Sequence, residues 1–239
     1  MPSKANDWPV LPHGPVETLS ANILRVEGEL AEGPPIKRVM TVVRMTDGGL
    51  VVHSAMALER DAMAQLDEFG PVRVLIVPNH WHRLDAQRFA SRYPDARVLC
   101  PPGSRVKVEK LSRVDGSYDD FPSDPRVRLE ILDGVGEIEG VMIVDDDEDG
   151  VTLVFNDAIF NMPHRRGISG FVLRHVTQSS GGPRISRLMR LFMIKDKPAF
   201  RAHLERLAGL PRLRRIIVAH HETIDVEPAR VLADVAATV

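Results

Sequence analysis

The sequence predicts a mixed α/β (α+β) fold, and three observations predict it. Between residues 49 and 100, short apolar runs of the buried-strand kind alternate with segments whose apolar residues recur at helical spacing. The second half again runs from several strands into helices. Hydrophobic residues make up 44% of the 239 residues and charged residues 27%, enough apolar matter for a sizeable core. No Pro/Gly-rich linker divides the halves, so one domain over residues 16–239 is expected. Residues 1–15 hold four prolines and read as a flexible N-terminal arm.

The first strands are expected at Thr18–Val26, Lys37–Met45 and Gly49–His53, with Asp47-Gly48-Gly49 turning the hairpin between the last two. Leu58, Met63, Leu66 and Phe69 mark a helix over Leu58–Phe69. Val72–Val77 follows as a buried strand, Asp85–Tyr93 as a helix and Ala96–Cys100 as a strand. A strand–helix–strand–helix–strand order implies a partly parallel sheet covered by helices.

In the second half, strands are expected at Val127–Ile131, Gly140–Val144 and Val151–Phe155. The acidic string Asp145–Gly150 imitates the start of a calcium loop. Its twelfth position is Asn156, where a bidentate glutamate is required, so it reads as a solvated hairpin turn. Helices are expected at Pro183–Met193 and Pro198–Leu207, then a strand at Arg215–Ala219 and a helix at Glu227–Ala236. Arg184, Arg187 and Arg190 recur every three residues and read as a solvated helix face.

A net charge of −2 carries no electrostatic footprint for nucleic acid. No apolar run approaches the roughly 20 residues of a membrane helix, and no membrane partner is expected. The opening residues lack the apolar stretch of a secretory signal. The single cysteine, Cys100, permits no internal disulfide and fits a reducing, cytoplasmic setting. A small-molecule substrate is the expected partner, with a homodimer left open.

Chemistry-bearing residues gather after strands. "PNHWHRLDA" (Pro78–Ala86) follows Val72–Val77 and places His80 and His82 two apart. In extended backbone such residues point the same way, so two imidazoles can meet one ion. A buried or helix-capping histidine pair is the plainer alternative. Val151–Phe155 leads into Asn156-Asp157, and Arg215–Ala219 into His220-His221-Glu222. An acid and a histidine thus stand at comparable strand ends, far apart in sequence. His53 reads as a core residue or a support for the site, His203 as solvated, and His164 and His175 as loop residues.

With these residues in view, the chain resembles the metallo-β-lactamase superfamily over roughly residues 18–225. His80-Trp81-His82-Arg83-Leu84-Asp85 is similar to the family's His-x-His-x-Asp-His motif, with Leu84 in place of its aspartate and Asp85 in place of its third histidine. Asn156-Asp157-Ala158-Ile159-Phe160 resembles a segment that carries the metal-bridging aspartate. Ala219-His220-His221 resembles the final Gly-His-Gly. The histidine of a further turn is absent from Ile131–Glu137, where Asp133 or Glu137 are the substitutes at hand. The order "VVHSAMAL", "GPVRVLIVPNHWH", "YPDARVLCPPG" looks like a branch whose metal motif is degraded.

The resemblance implies a four-layer αββα sandwich and a metal-dependent hydrolase. Its ligands would come from His80, His82, Asp85, Asp157 and His220. One zinc is implied, with a second position weakened by Leu84. Iron is the alternative for two histidines and a carboxylate. Asp85 and Asp157 are the implied catalytic groups, orienting water or accepting its proton. Esters, thioesters, lactones and phosphates all fit as substrates. Two other readings stay open: a metal-free binding protein on the same fold, and a mononuclear iron oxidoreductase.

Overall fold

The structure, a computed structural model, describes residues 8–30 and 36–239. Two sheets stand face to face. The first has six strands in chain order: β1 (Glu17–Ser20), β2 (Ile23–Gly28), β3 (Arg38–Arg44), β4 (Leu50–His53), β5 (Val72–Ile76) and β6 (Arg97–Leu99). The pairs from β1 to β4 are antiparallel and those from β4 to β6 parallel. The second sheet comprises β7 (Val127–Ile131), β8 (Gly140–Asp146), β9 (Gly150–Val154) and β12 (Leu213–Ile217), in the order β12-β9-β8-β7. A short ribbon joins β10 (Phe160–Met162) to β11 (Gly182–Arg184).

Alternation along the strands builds the layers. On β3, Val39 and Val43 face the second sheet, while Met40 and Val42 face helices. The central layer joins Ile23, Val51, Val74 and Ile76 to Val127, Met142, Val154 and Ile217. Outside the first sheet lie α1 (Arg60–Phe69) and α2 (Ala86–Arg92), with Met63, Leu66 and Phe89 buried. Outside the second lie α5 (Lys197–Ala208) and α6 (Pro228–Ala236). Their seam is Phe200, Leu204, Leu207, Leu232 and Val235, packed on Val141, Ile143, Leu153 and Ile216. Each such side chain stabilises the fold by about 1.5–3 kcal/mol when fully buried. The architecture is a four-layer αββα sandwich. Two short helices complete it: α3 (Arg105–Val108) and α4 (Gly167–Phe171), the latter continuing through a π turn at Val172–Val176.

The hairpin expected at Asp47-Gly48-Gly49 forms, with Gly48 at φ +85°. The acidic string turns between β8 and β9, as a hairpin requires, with Gly150 at φ +87°. Three expectations need correction. Thr18–Val26 is two strands, because the chain reverses at Ala21-Asn22 and β1 pairs back on β2. Pro183–Met193 is not one helix: Gly181 and Gly182, at φ +102° and +92°, lead into β11, and the helical part is a π turn at Met189–Met193. The helical stretch Gly167–Val176 lay in a segment read as loop.

Residues 1–7 of the expected arm lie outside the described residues. Residues 8–15 are not loose. The Trp8 indole donates to the Leu58 carbonyl at 3.0 Å, and Gly14 N donates to Glu27 O at 2.8 Å.

Candidate metal centre

Three loops leave the same edge of the sandwich: one after β5, one after β9 and one after β12. Their side chains meet at Asp157. Its Oδ1 stands 3.3 Å from His82 Nε2 and 3.0 Å from His220 Nε2. Its Oδ2 accepts from Asn79 Nδ2 at 2.6 Å and Asn156 Nδ2 at 3.2 Å. Burial alone would raise the Asp157 pKa. The His82 charge and the hydrogen bonds from His220 and His82 outweigh it and hold the carboxyl well below its usual range.

Asn79 decides where the first loop points. Its Oδ1 accepts from the backbone N–H of Trp81 at 2.9 Å and of His82 at 3.1 Å, an Asx turn. Residues 79–82 are therefore bent, not extended. The bend sends His82 toward Asp157 and His80 away, so the expected pairing of two imidazoles on one ion does not occur. The His80 ring lies against Trp81, with centroids 3.8 Å apart. Lys107 Nζ donates to His80 Nε2 at 3.1 Å, and Ser104 Oγ is 3.5 Å from Nδ1. Burial, then the positive charges of Lys107 and Arg83, push the His80 pKa down. Both nitrogens of the neutral ring thus have partners other than a metal.

Asp85 is also withdrawn. It is buried at the start of α2, with Oδ2 at 2.7 Å from Arg38 and Oδ1 at 2.8 Å from Arg88. Two guanidinium groups occupy both oxygens, and Asp85 lies outside the cluster that His82, Asp157 and His220 form. His221 follows His220 with φ +70°, which turns its ring the other way. Its Nε2 accepts from Lys37 N at 3.3 Å, and burial, followed by the Arg165 charge, pushes its pKa down to about 4. Asp133 is taken by His203 at 2.9 Å, and Glu137 is exposed in a turn. His203 is buried between Asp133 and Glu130, not solvated as its helical position suggested.

The orientation of His220 comes from its surroundings. Its Nδ1 lies 2.8 Å from the Lys37 carbonyl, which can only accept, so Nδ1 carries the proton. Its ring stacks on Phe160 at 5.0 Å and 16°. With Nδ1 protonated, Nε2 faces the Asp157 carboxylate either as the second N–H of an imidazolium, which donates the hydrogen bond, or as a lone pair when the ring is neutral. Two acceptors at 3.0 Å require a proton or a cation between them. His82 Nδ1 lies 3.2 Å from Ser54 Oγ, a hydroxyl that can donate or accept. Ser54 has φ +58° at the end of β4, a conformation uncommon for non-glycine residues.

His82, Asp157 and His220 place two nitrogens and one oxygen within 4.8 Å of one another. That donor set suits a three-ligand catalytic zinc or a non-haem iron. The residues therefore fit a single divalent ion. Among the described residues no second cluster of this kind forms: Asp85 is paired with Arg38 and Arg88, and Leu84 has no donor atom.

Two supporting residues went unread in the sequence. Glu139 is fully buried, accepting from Ala158 N at 2.7 Å and Asn79 Nδ2 at 3.2 Å. Burial and the Asp157 charge push its pKa up to about 8. Ser54, after the strand-ending His53, was the second. Asn79 carried the one legible signal, an Asx residue directly after Val77-Pro78.

The cluster forms the polar floor of an apolar cavity of about 460 Å³. Trp81, Leu84, Phe160, Leu188, Met189 and Phe192 contribute to its walls. Arg38 also lines it, and its Nε is buried without a hydrogen-bond partner.

No protein-family model matches the chain, and no curated protein matches it. Solved structures do. A metallo-β-lactamase from Pontibacter korlensis superposes with a TM-score of 0.59 at 10% identity, over 94% of this chain and 99% of that one. One from Erythrobacter litoralis, with β-mercaptoethanol in its active site, gives 0.59 at 13% identity, over 94% and 96%. The DIM-1 metallo-β-lactamase exposed to ceftazidime gives 0.61 at 10% identity, over 98% and 99%. The strand ends that carry His82, Asp157 and His220 thus belong to a chain that has the metallo-β-lactamase fold.

Proposed function

We propose that the chain is a metal-dependent hydrolase with one metal position, made by His82, Asp157 and His220. The observation that carries this reading is the convergence of both Nε2 atoms on Asp157 Oδ1, at 3.3 and 3.0 Å. His82, Asp157 and His220 would hold a zinc ion there, and the ion would supply Lewis acidity and a water activated near neutral pH.

The residues around it have separate tasks. Lys37 O and Ser54 Oγ hold the two imidazoles, the outer-shell support that metal ligands use. Asn79 and Asn156 hold Asp157 through Oδ2, leaving Oδ1 as the ligand atom. Arg38 lines the cavity wall with its charge paired to Asp85, and so fixes the wall beside the cluster. The apolar walls favour an ester, thioester or lactone with an apolar body over a free phosphate.

The test is hydrolysis of chromogenic acyl esters and thioesters of increasing chain length by the zinc-loaded chain. Activity should rise with chain length and disappear in Asp157→Ala. Equal, metal-independent rates in both proteins contradict the reading.

A second reading has its own observation. A proton on His220 closes the His220–Asp157 contact as a hydrogen bond without any metal. The cavity then serves binding alone, and ligand affinity is unchanged by chelator. An iron oxidoreductase would be distinguished by iron retained in anaerobically purified protein.

A further inference from the structure

Residues 158–195 contain no aspartate or glutamate, but six arginines and one lysine, in a chain whose net charge is −2. None of the six arginines forms an ion pair among the described residues. Arg184 donates to Gly181 O and Arg190 to Thr238 Oγ1 instead. The same stretch exposes large apolar side chains: Ile168 is 87% exposed, Phe171 61%, Leu191 62% and Phe192 65%, with Val176 also exposed.

These residues lie on two helical segments, Gly167–Val176 and Met189–Met193 with the turn before it. The segments sit side by side: Arg187 N donates to Thr177 O at 2.8 Å, and Arg174 and Arg190 line one cavity. Each carries a π turn, a rare geometry that is frequent at functional sites. Leu188 and Phe192 belong both to this face and to the wall of the cavity above Asp157.

We infer that this face docks on an anionic lipid bilayer surface. Exposed apolar side chains interspersed with arginines that form no ion pair are what an interfacial segment requires; the stretch itself holds no acid, and Asp234 is the one acid on the cavity that Arg174 and Arg190 share. The apolar groups enter the headgroup boundary and the guanidinium groups meet lipid phosphate. A second copy of the chain is the poorer occupant. A two-fold contact sets the same patch on both partners, bringing arginine against arginine with no carboxylate from this stretch to pair them.

The expectation of no membrane partner rested on the lack of a spanning segment. No helix among the described residues is long and apolar enough to cross a membrane. Docking on the surface needs no such helix. It would place the cavity mouth beside the lipid, the source of apolar substrates. The inference itself does not depend on hydrolysis or on metal.

The experiment is co-sedimentation of the full chain with vesicles of phosphatidylcholine alone, and of phosphatidylcholine mixed with phosphatidylglycerol. Binding is expected to the mixed vesicles and to weaken as salt is raised. Arg174→Glu with Arg187→Glu should weaken it by at least about fivefold per arginine. Phe171→Asp with Leu191→Asp should abolish it. All four positions are exposed, and unchanged circular dichroism and melting would show the variants folded. No sedimentation with mixed vesicles, or sedimentation unaltered by both variants, overturns the inference. So does a dimer by light scattering that dissociates in these variants while the parent chain ignores vesicles.

Discussion

Asp157 Oδ1 stands 3.0 Å from His220 Nε2, while the opposite nitrogen of that ring is committed to the Lys37 carbonyl at 2.8 Å. A neutral His220 therefore turns a lone pair toward a carboxylate, which a cation relieves. Zinc at about one hundred times its dissociation constant should then stabilise the fold by about 2.7 kcal/mol. For a chain of this size the melting temperature should rise by about 5–10 °C. Differential scanning fluorimetry with and without zinc measures this. His220→Ala should show no zinc-dependent rise.

Asn79 joins the loop after β5 to the carboxylates of Asp157 and Glu139. Asn79→Ala removes the side-chain acceptor of two backbone N–H groups and the donor shared by Asp157 and Glu139. Zinc affinity should fall about 10–100-fold, because His82 loses its fixed direction. Stability should fall by about 2–3 kcal/mol, read from urea unfolding. Unchanged affinity in a folded variant would show that the Asx turn does not position His82.

Asp85 separates structural from metal-binding carboxylates. Asp85→Ala leaves the buried Arg38 without its partner and should cost about 3–5 kcal/mol. Zinc stoichiometry in the folded variant should not change. Loss of zinc with little loss of stability would restore Asp85 to the ligand set.

His53 is buried in the central layer with Nε2 unpartnered, and burial and then the His82 charge push its pKa down to about 3. The unfolded chain binds this proton near pH 6.5, whereas the folded chain does so only near 3. Stability is therefore lost as pH falls from 6.5 toward 3. His53→Gln should be less acid-sensitive than the parent. The difference is cleanest between pH 6.5 and 4.5, before carboxylates such as Glu130, held at about 2, begin to titrate out of step. Parallel stability curves for the two proteins in that window would contradict this.

The strand ends were readable because apolar runs stop where polar ligands begin. Val151–Phe155 before Asp157 and Arg215–Ala219 before His220 announce two of the three converging residues. His80 was misread because the i, i+2 rule presumes extended backbone, and Asn79 bends it. The fate of Asp85 depends on Arg38, 47 residues away, a pairing that only the folded sheet creates. Glu139 gave no signal, since Glu137-Ile138-Glu139-Gly140 reads as a polar loop. It is buried because β8 starts at Gly140 and the loop after β9 closes over it. The α4 stretch was hidden by Gly167 and Gly170, which lower helix propensity.

The most direct measurement is zinc content per chain by mass spectrometry after metal loading and gel filtration. It should compare the parent protein with His80→Ala, His82→Ala and His220→Ala, each first shown to be folded. The account predicts one zinc in the parent and in His80→Ala, and none in the other two. Retention by His82→Ala and His220→Ala, or loss in His80→Ala alone, would contradict it.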